Sequence, residues 1–82
     1  MYQINGQSVR IEWGDKISYK RASVAPAYRN EAEDQTEAGG PYEAVCVSTE
    51  DWGVQVRADG WMGAAPLYNV YTFDILAVTP RK

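Results

Sequence analysis

Short segments in which apolar and polar residues alternate, separated by turn residues, constrain this fold more than any other feature of the sequence. Residues 16–20 and 53–57 each place an apolar side chain at every second position, which is the spacing of a half-buried β-strand. The dipeptide Asn5-Gly6 tolerates positive φ at both central positions of a type I′ turn, so it predicts a hairpin at the start of the chain. These patterns favour an all-β protein.

A further strand is predicted at residues 42–48, where Val45 and Val47 share one face and Cys46 lies on the other. A free cysteine among valines is usually a small core hydrophobe, so Cys46 is expected to be buried and unreactive. As the only cysteine, it has no partner for an intramolecular disulfide, which favours a reducing, cytoplasmic compartment.

The last part of the chain fits neither the helical nor the strand period. Residues 68–78 are interpreted either as a strand with a bulge near Asp74-Ile75 or as one 3₁₀ turn followed by a final strand. The run Asp74-Ile75-Leu76-Ala77-Val78-Thr79-Pro80 resembles the last turn and strand of SH3-like barrels. The chain is therefore expected to be a single small domain, residues 1–82, built from a strongly bent antiparallel sheet or barrel. An SH3-like arrangement is favoured over an OB-like one.

The charge of the chain reverses between its first and second thirds. Residues 1–29 carry five basic side chains against two acidic ones, whereas residues 30–59 carry eight acids against Arg57 alone. Residues 25–41 lack apolar periodicity and contain Gly and Pro, so they are predicted to form a long acidic loop. Loops of this length inside compact domains are frequently functional.

The composition leaves little material for catalysis or metal binding. Histidine is absent and cysteine occurs once, which removes the usual general base and the usual nitrogen and sulfur ligands. The spacing of the acids lacks the order of a calcium-binding loop, and no phosphate-cradling glycine loop or nucleophile elbow occurs. No enzymatic activity, metal or cofactor is predicted. No apolar run approaches the length of a signal peptide or membrane span, so no membrane association is expected.

The leading functional hypothesis is that the acids and surplus aromatic residues dock on a protein partner with a basic surface. Carboxylates steer such a partner, and exposed aromatic rings supply most of the binding energy in many interfaces. The predicted acidic contacts are Glu31, Glu33, Asp34, Glu37, Glu43, Glu50 and Asp51. The predicted aromatic contacts are Trp52, Trp61 and Tyr28.

In size and charge the chain is similar to the small inhibitors that phages and mobile elements direct at host nucleic-acid machinery, including anti-CRISPR proteins. That resemblance implies an inhibitor that competes with phosphates for a basic groove.

Two alternatives stay open at this point. A nucleic-acid contact would use the basic strand residues together with aromatic rings, namely Lys16, Lys20, Arg21, Trp13 and Tyr19. The net charge of −3 and the pI of 4.7 argue against it, because nucleic-acid binders normally present a net basic domain. The other alternative is a small structural subunit of an oligomer, in which the aromatic residues form self-contacts.

Overall fold

The computed structural model describes residues 1–81, which form eight β-strands and three single 3₁₀ turns. The strands are β1 (Tyr2–Ile4), β2 (Gln7–Val9), β3 (Lys16–Tyr19), β4 (Ser23–Val24), β5 (Tyr42–Glu50), β6 (Gly53–Arg57), β7 (Leu67–Tyr71) and β8 (Ile75–Thr79). The 3₁₀ turns are Pro26–Tyr28, Glu37–Gly39 and Thr72–Asp74. No α-helix occurs within residues 1–81, so the prediction of an all-β protein is confirmed.

Six strands form one antiparallel sheet in the order β4-β7-β6-β5-β3-β8, and β1 and β2 form a separate hairpin. Strands β4 and β8 lie at the two edges and do not pair with each other in the described part of the chain. The expected closure into a barrel is therefore not found, and the sheet is open. Strand β4 has only two residues and is soon followed by Pro26, which has no backbone N–H to extend the ladder.

The first hairpin forms where the sequence predicts it. Asn5 and Gly6 have φ of 52° and 80°, the positive values that a type I′ turn requires at both positions. Tyr2 pairs with Val9 and Ile4 with Gln7 across the turn. Ile4 is buried, so the hairpin packs its inner face on the core.

A β-bulge in β5 changes the faces that the alternating sequence predicts there. Cys46 pairs with Val56 and Ser48 with Gln55, so Val47 is an extra residue without an opposite partner on β6. Cys46 and Val47 are both buried, whereas Val45 is only partly buried. The predicted division, with Val45 and Val47 on one face, is therefore wrong. The bulge rotates the second half of the strand relative to the first.

The C-terminal segment follows the second of the two interpretations given above. Strand β7 ends at Tyr71, one 3₁₀ turn spans Thr72–Asp74, and β8 follows at once. The turn brings β8 to the far side of the sheet, where Val78 pairs with Ile17 of β3. Between β6 and β7, residues 58–66 form an irregular loop.

The core is formed mainly by side chains of the six-stranded sheet and of the β1–β2 hairpin. Its largest fully buried side chains are Tyr19, Ile17, Val54, Val56, Val70 and Cys46. Within residues 1–81 no helix has the length and apolar character needed to cross a membrane.

Candidate functional site

Three aromatic rings lie side by side on the surface where the β5–β6 turn meets the end of β7. Trp52 contacts Tyr71 with ring centroids 5.4 Å apart, and Tyr71 stacks on Phe73 at 5.6 Å and 5°. All three are exposed, Phe73 to 68%. We call Trp52, Tyr71 and Phe73 the aromatic row. An exposed apolar row of this kind is typical of an interaction surface.

Backbone contacts fix the position of the row. Gly53 pairs with Tyr71 across β6 and β7, and the backbone N–H and Oγ1 of Thr72 both donate to the Trp52 carbonyl oxygen, each at 3.1 Å. The 3₁₀ turn begins directly after Tyr71 and carries Phe73, whose ring stacks on that of Tyr71. The row is thus built on the ends of paired strands.

A groove of about 460 Å³ separates the aromatic row from the acidic loop. Tyr71 and Phe73 line it together with Asp34, Glu37 and the Arg21 side chain. This volume is large enough to receive a long side chain from a partner. We call the aromatic row, this groove and residues 31–37 together the acidic-aromatic face.

Arg21 holds the two sides of the groove together. Its Nε donates to Asp74 Oδ1 at 2.9 Å, and its Nη1 donates to Glu37 Oε1 at 3.3 Å. Asp74 is buried, so this ion pair leaves little of the carboxylate exposed to water. A charged hydrogen bond to a buried carboxylate is stronger than an exposed surface pair. Arg21 therefore anchors the acidic loop to the 3₁₀ turn that carries Phe73.

Further hydrogen bonds hold residues 25–41 against the sheet. Asp34 Oδ1 accepts from the Val24 N–H at 2.9 Å, and Gln35 exchanges two backbone hydrogen bonds of 2.9 Å with Ala22. The Tyr19 hydroxyl donates to Gln35 Oε1 at 2.7 Å. Apart from this bridge and two 3₁₀ turns, the segment has no regular secondary structure.

The predicted acidic residues are all exposed, and they differ in their contacts. Asp34 accepts a hydrogen bond from the Val24 N–H, and Glu37 forms an ion pair with Arg21, as described above. Glu43 lies 3.8 Å from Lys16 Nζ, and Glu50 accepts from Ser48 Oγ at 2.8 Å. Within the described residues, the side chains of three acids have no hydrogen bond or ion pair: Glu31, Glu33 and Asp51.

The three predicted aromatic contacts do not form one surface. Trp52 belongs to the aromatic row, whereas Trp61 stacks on Trp13 with centroids 5.3 Å apart and planes at 15°. Tyr28 is half-buried, and its hydroxyl accepts from Arg57 Nη2 at 3.2 Å. We call Trp13 and Trp61 the tryptophan pair. They are exposed to 54% and 59%.

Arg57 organises the surface around the tryptophan pair. In addition to its hydrogen bond to the Tyr28 hydroxyl, the Arg57 guanidinium donates from Nε to the Ala65 carbonyl oxygen at 2.9 Å and from Nη1 to the Trp61 carbonyl oxygen at 3.2 Å. These bonds shape the loop of residues 58–66 and fix the backbone at Trp61. Arg57 thereby links the loop to the 3₁₀ turn that ends at Tyr28.

The residues predicted for a nucleic-acid contact are dispersed. Lys16 lies beside Glu43, and Arg21 is bound to two carboxylates. The Tyr19 ring is only 1% exposed and stacks on Tyr42 inside the fold, so it offers no face to a base. Lys20 is half-buried, and Trp13 belongs to the tryptophan pair. A stacking role for Tyr19 is therefore excluded by its burial.

Several residues of both surfaces are not predicted from the sequence. Tyr71 and Phe73 lie beside Trp52 because β6 pairs with β7. Arg81 and Trp13 are far apart in the sequence and line the same groove only in the folded structure. The one local signal is the broken periodicity of residues 68–78, which marks the 3₁₀ turn.

Burial changes the acidity of three side chains. Loss of solvent raises the pKa of the Cys46 thiol to about 11 and that of the Tyr19 hydroxyl to about 12. The pKa of Tyr2 is also raised, mainly by burial. A thiol with so high a pKa is protonated at neutral pH and is a poor nucleophile.

Among residues 1–81, no three Asp, Glu or Cys side chains are grouped so that they could hold a metal ion. No family model, curated protein or solved structure matches this chain.

Proposed function

We propose that this protein is a non-enzymatic binding module that docks on a basic protein partner through the acidic-aromatic face. The observation that carries the proposal is the groove that the rings of Tyr71 and Phe73 line together with the carboxylates of Asp34 and Glu37. Apolar area and negative charge then act on the same ligand. A lysine or arginine side chain satisfies both, because its stem packs on rings while its charged head reaches the carboxylates.

The two parts of the face contribute differently to binding. The rings of the aromatic row already contact one another before a partner arrives, so little side-chain entropy remains to be lost there. The carboxylates of Glu31 and Glu33 make no hydrogen bond or ion pair within the described residues and add long-range attraction. Aromatic anchors mainly slow dissociation, whereas exposed charges mainly speed association.

Proteins that bind nucleic acid are the partner class we favour. Their grooves are lined with Lys and Arg to neutralise phosphates, and a carboxylate-rich surface competes for the same side chains. The protein would then act as an inhibitor of nucleic-acid machinery, of the general kind that phages and mobile elements produce. For the fold we propose an SH3-like strand arrangement, supported by the 3₁₀ turn Thr72–Asp74 directly before the last strand.

Matched variants test the proposal in a nuclease-treated lysate. The immobilised wild-type protein should capture a basic protein that is lost with Trp52→Ala and retained with Trp61→Ala, which also removes one exposed indole. Trp52→Ala keeps the carbonyl that binds Thr72, so the turn should persist. Capture that is equal for all three proteins would contradict the proposal.

Kinetics with the purified captured protein separate charge from packing. The double variant Glu31→Gln/Glu33→Gln avoids Asp34 and Glu37, which bind this chain, so the fold should stay intact. We expect it to slow association severalfold at low salt and to leave dissociation almost unchanged. Trp52→Ala should instead speed dissociation by tenfold or more, as expected for an anchor worth about 2 kcal/mol. An unchanged association rate in the double variant would show that its carboxylates do not steer the partner.

A further inference from the structure

We infer that the tryptophan pair is a second binding site and that it takes a base of single-stranded nucleic acid. This site lies outside the acidic-aromatic face, and the inference stands without the proposed function. It rests on the geometry of the two indoles, on the charges around them and on the grooves beside them.

The indoles form a stacking platform that solvent reaches. Their centroids are 5.3 Å apart and their planes 15° from parallel, so no base fits between them. Both rings are nevertheless more than half exposed. A base can therefore extend the stack on an outer face, as bases do on the aromatic residues of single-strand binding proteins. Because the two rings already support each other, the platform needs little reordering on binding.

Within residues 1–81, arginine is the only charged residue type that lines the two grooves beside the platform, whereas the chain as a whole has a net charge of −3. Two grooves border the pair, one containing Arg57 and the other Arg81. No carboxylate lines either groove among the described residues, although the chain has eleven acids. The Arg81 side chain packs over Gly14, where a Cβ would collide with its Cδ, and this contact brings it to the edge of Trp13.

Carboxylates on the neighbouring segments are already occupied. Glu12 pairs with Arg10 at 3.2 Å, and Asp59 accepts from the backbone N–H groups of Ala64 and Ala65. Buried Asp15 accepts from the backbone N–H groups of Glu12 and Arg81. On β5, Glu50 accepts from Ser48 Oγ. These carboxylates keep their charge, and Glu12 and Asp15 line a separate groove that also contains Arg81. Within residues 1–81 none of them lines the two grooves beside the platform.

The groove with Arg57 also contains polar groups at the level of the rings. Ser48 and Gln55 line it together with Leu67 and Val47. Gln55 Nε2 donates to Asn69 Oδ1 at 2.9 Å, which fixes the orientation of the amide. A base on the platform would place its edge near these groups, and a phosphate would lie near Arg57 or Arg81. Aromatic stacking with a cation alongside is the chemistry of single-strand recognition.

Nuclear magnetic resonance of the full chain provides the direct test. The probe is an oligothymidylate of about ten nucleotides, added at a low salt concentration of about 20 mM. The chain has three indole N–H signals, one per tryptophan. We expect the signals of Trp13 and Trp61 to shift together on titration while that of Trp52 stays in place. Shifts confined to Trp52, or no shift at all, would overturn the inference.

Variants then assign the affinity to the platform. Trp61→Ala should weaken binding of the oligonucleotide about tenfold or more, the loss expected for one stacked base. Arg81→Gln should weaken it less and should flatten its salt dependence, because one phosphate contact is removed. The control is Lys20→Gln, which removes a positive charge on the strand side and should leave affinity unchanged.

The salt dependence distinguishes this site from a diffuse basic surface. With contacts from Arg57 and Arg81 alone, a tenfold rise in salt should weaken binding by roughly twentyfold. If Lys20→Gln lowers affinity as much as Arg81→Gln does, the contact is nonspecific and the inference is wrong. If a basic-partner protein shifts the Trp13 and Trp61 signals and oligothymidylate does not, the pair is a protein contact and the inference fails as well.

Discussion

Cys46 shows how burial of one residue governs a property of the folded state. The side chain is 1% exposed inside the sheet, and burial raises the pKa of its thiol from 9.0 to about 11. Between these pH values the folded chain keeps the proton that the unfolded chain has lost. The free energy of unfolding therefore has its full value below pH 9 and falls as pH rises towards 11. Tyr19 acts in the same direction, because its pKa rises from 10.0 to about 12.

The first prediction is that Cys46→Ala flattens this alkaline loss of stability. Urea unfolding of the wild type at a series of pH values should give a free energy that declines between 9 and 11, by at most about 1.4 kcal/mol per pH unit for one group. The variant should start lower because of the cavity, and then decline less steeply. Tyr19→Phe is the companion variant and should flatten the curve at higher pH. An equally steep decline in Cys46→Ala would refute the role assigned to the thiol.

At the scale of elements, the β6–β7 pairing depends on the absence of a side chain at Gly53. A Cβ at that position would overlap the Val70 carbonyl oxygen on the neighbouring strand and lie 2.9 Å from the Cα of Tyr71. Both atoms are backbone, so the contact is relieved only by separating the strands. Gly60 differs, since it has φ of 83° and no atom within 4 Å of a Cβ.

The second prediction compares alanine at these two glycines. Gly60→Ala meets only the backbone strain of a positive φ, which costs about 1 kcal/mol. Gly53→Ala meets that strain and the overlap with β7, so it should lower the free energy of unfolding by at least about 2 kcal/mol more. Urea denaturation of both variants measures the difference. If both variants lose the same free energy of unfolding, β6 and β7 can separate at Gly53 without a loss of stability, and the prediction is wrong.

The sequence predicts the elements that depend on local signals and misses those set by distant partners. The hairpin at Asn5-Gly6 and strand β6 follow from turn residues and alternation within a few positions. The bulge in β5 does not, because it is defined by register against β6. The sequence likewise does not predict that the sheet stays open, because closure into a barrel would require pairing between the edge strands β4 and β8, which are distant in the sequence.

The same distinction explains how much of the two surfaces could be predicted. The acids and Trp52 are visible in the sequence as a charge imbalance and a turn aromatic. Their arrangement is not visible, because Trp52 meets Tyr71 across the sheet and Trp13 meets Trp61 from a different loop. Contacts between residues about 20 to 50 positions apart cannot be predicted from periodicity, because a periodic pattern indicates only which residues share a face within one helix or strand.

For the whole molecule, the charge contrast lies between two aromatic surfaces and does not follow the charge reversal along the chain, because Arg57 belongs to the acid-rich segment and Arg21 lines the acidic groove. One surface combines Trp52, Tyr71 and Phe73 with carboxylates across a groove. The other combines Trp13 and Trp61 with Arg57 and Arg81, and no carboxylate among residues 1–81 lines its grooves. The net charge of −3 is a sum over the whole chain, so it does not show that the two surfaces differ in local charge. Surfaces of opposite local charge attract opposite classes of partner.

The last prediction is that the two surfaces act independently. The pairs Trp52–Tyr71 and Trp13–Trp61 share no residue, and substitutions at separate sites without shared partners usually have additive effects. Trp52→Ala should therefore weaken the basic-protein contact and leave oligothymidylate binding unchanged, and Trp61→Ala should do the reverse. The double variant should show both losses, each within about 0.5 kcal/mol of its single variant. Isothermal titration of the four proteins with each ligand measures this. If Trp52→Ala changes oligothymidylate affinity as much as Trp61→Ala does, the surfaces are one continuous site, and their opposite charges do not separate two functions.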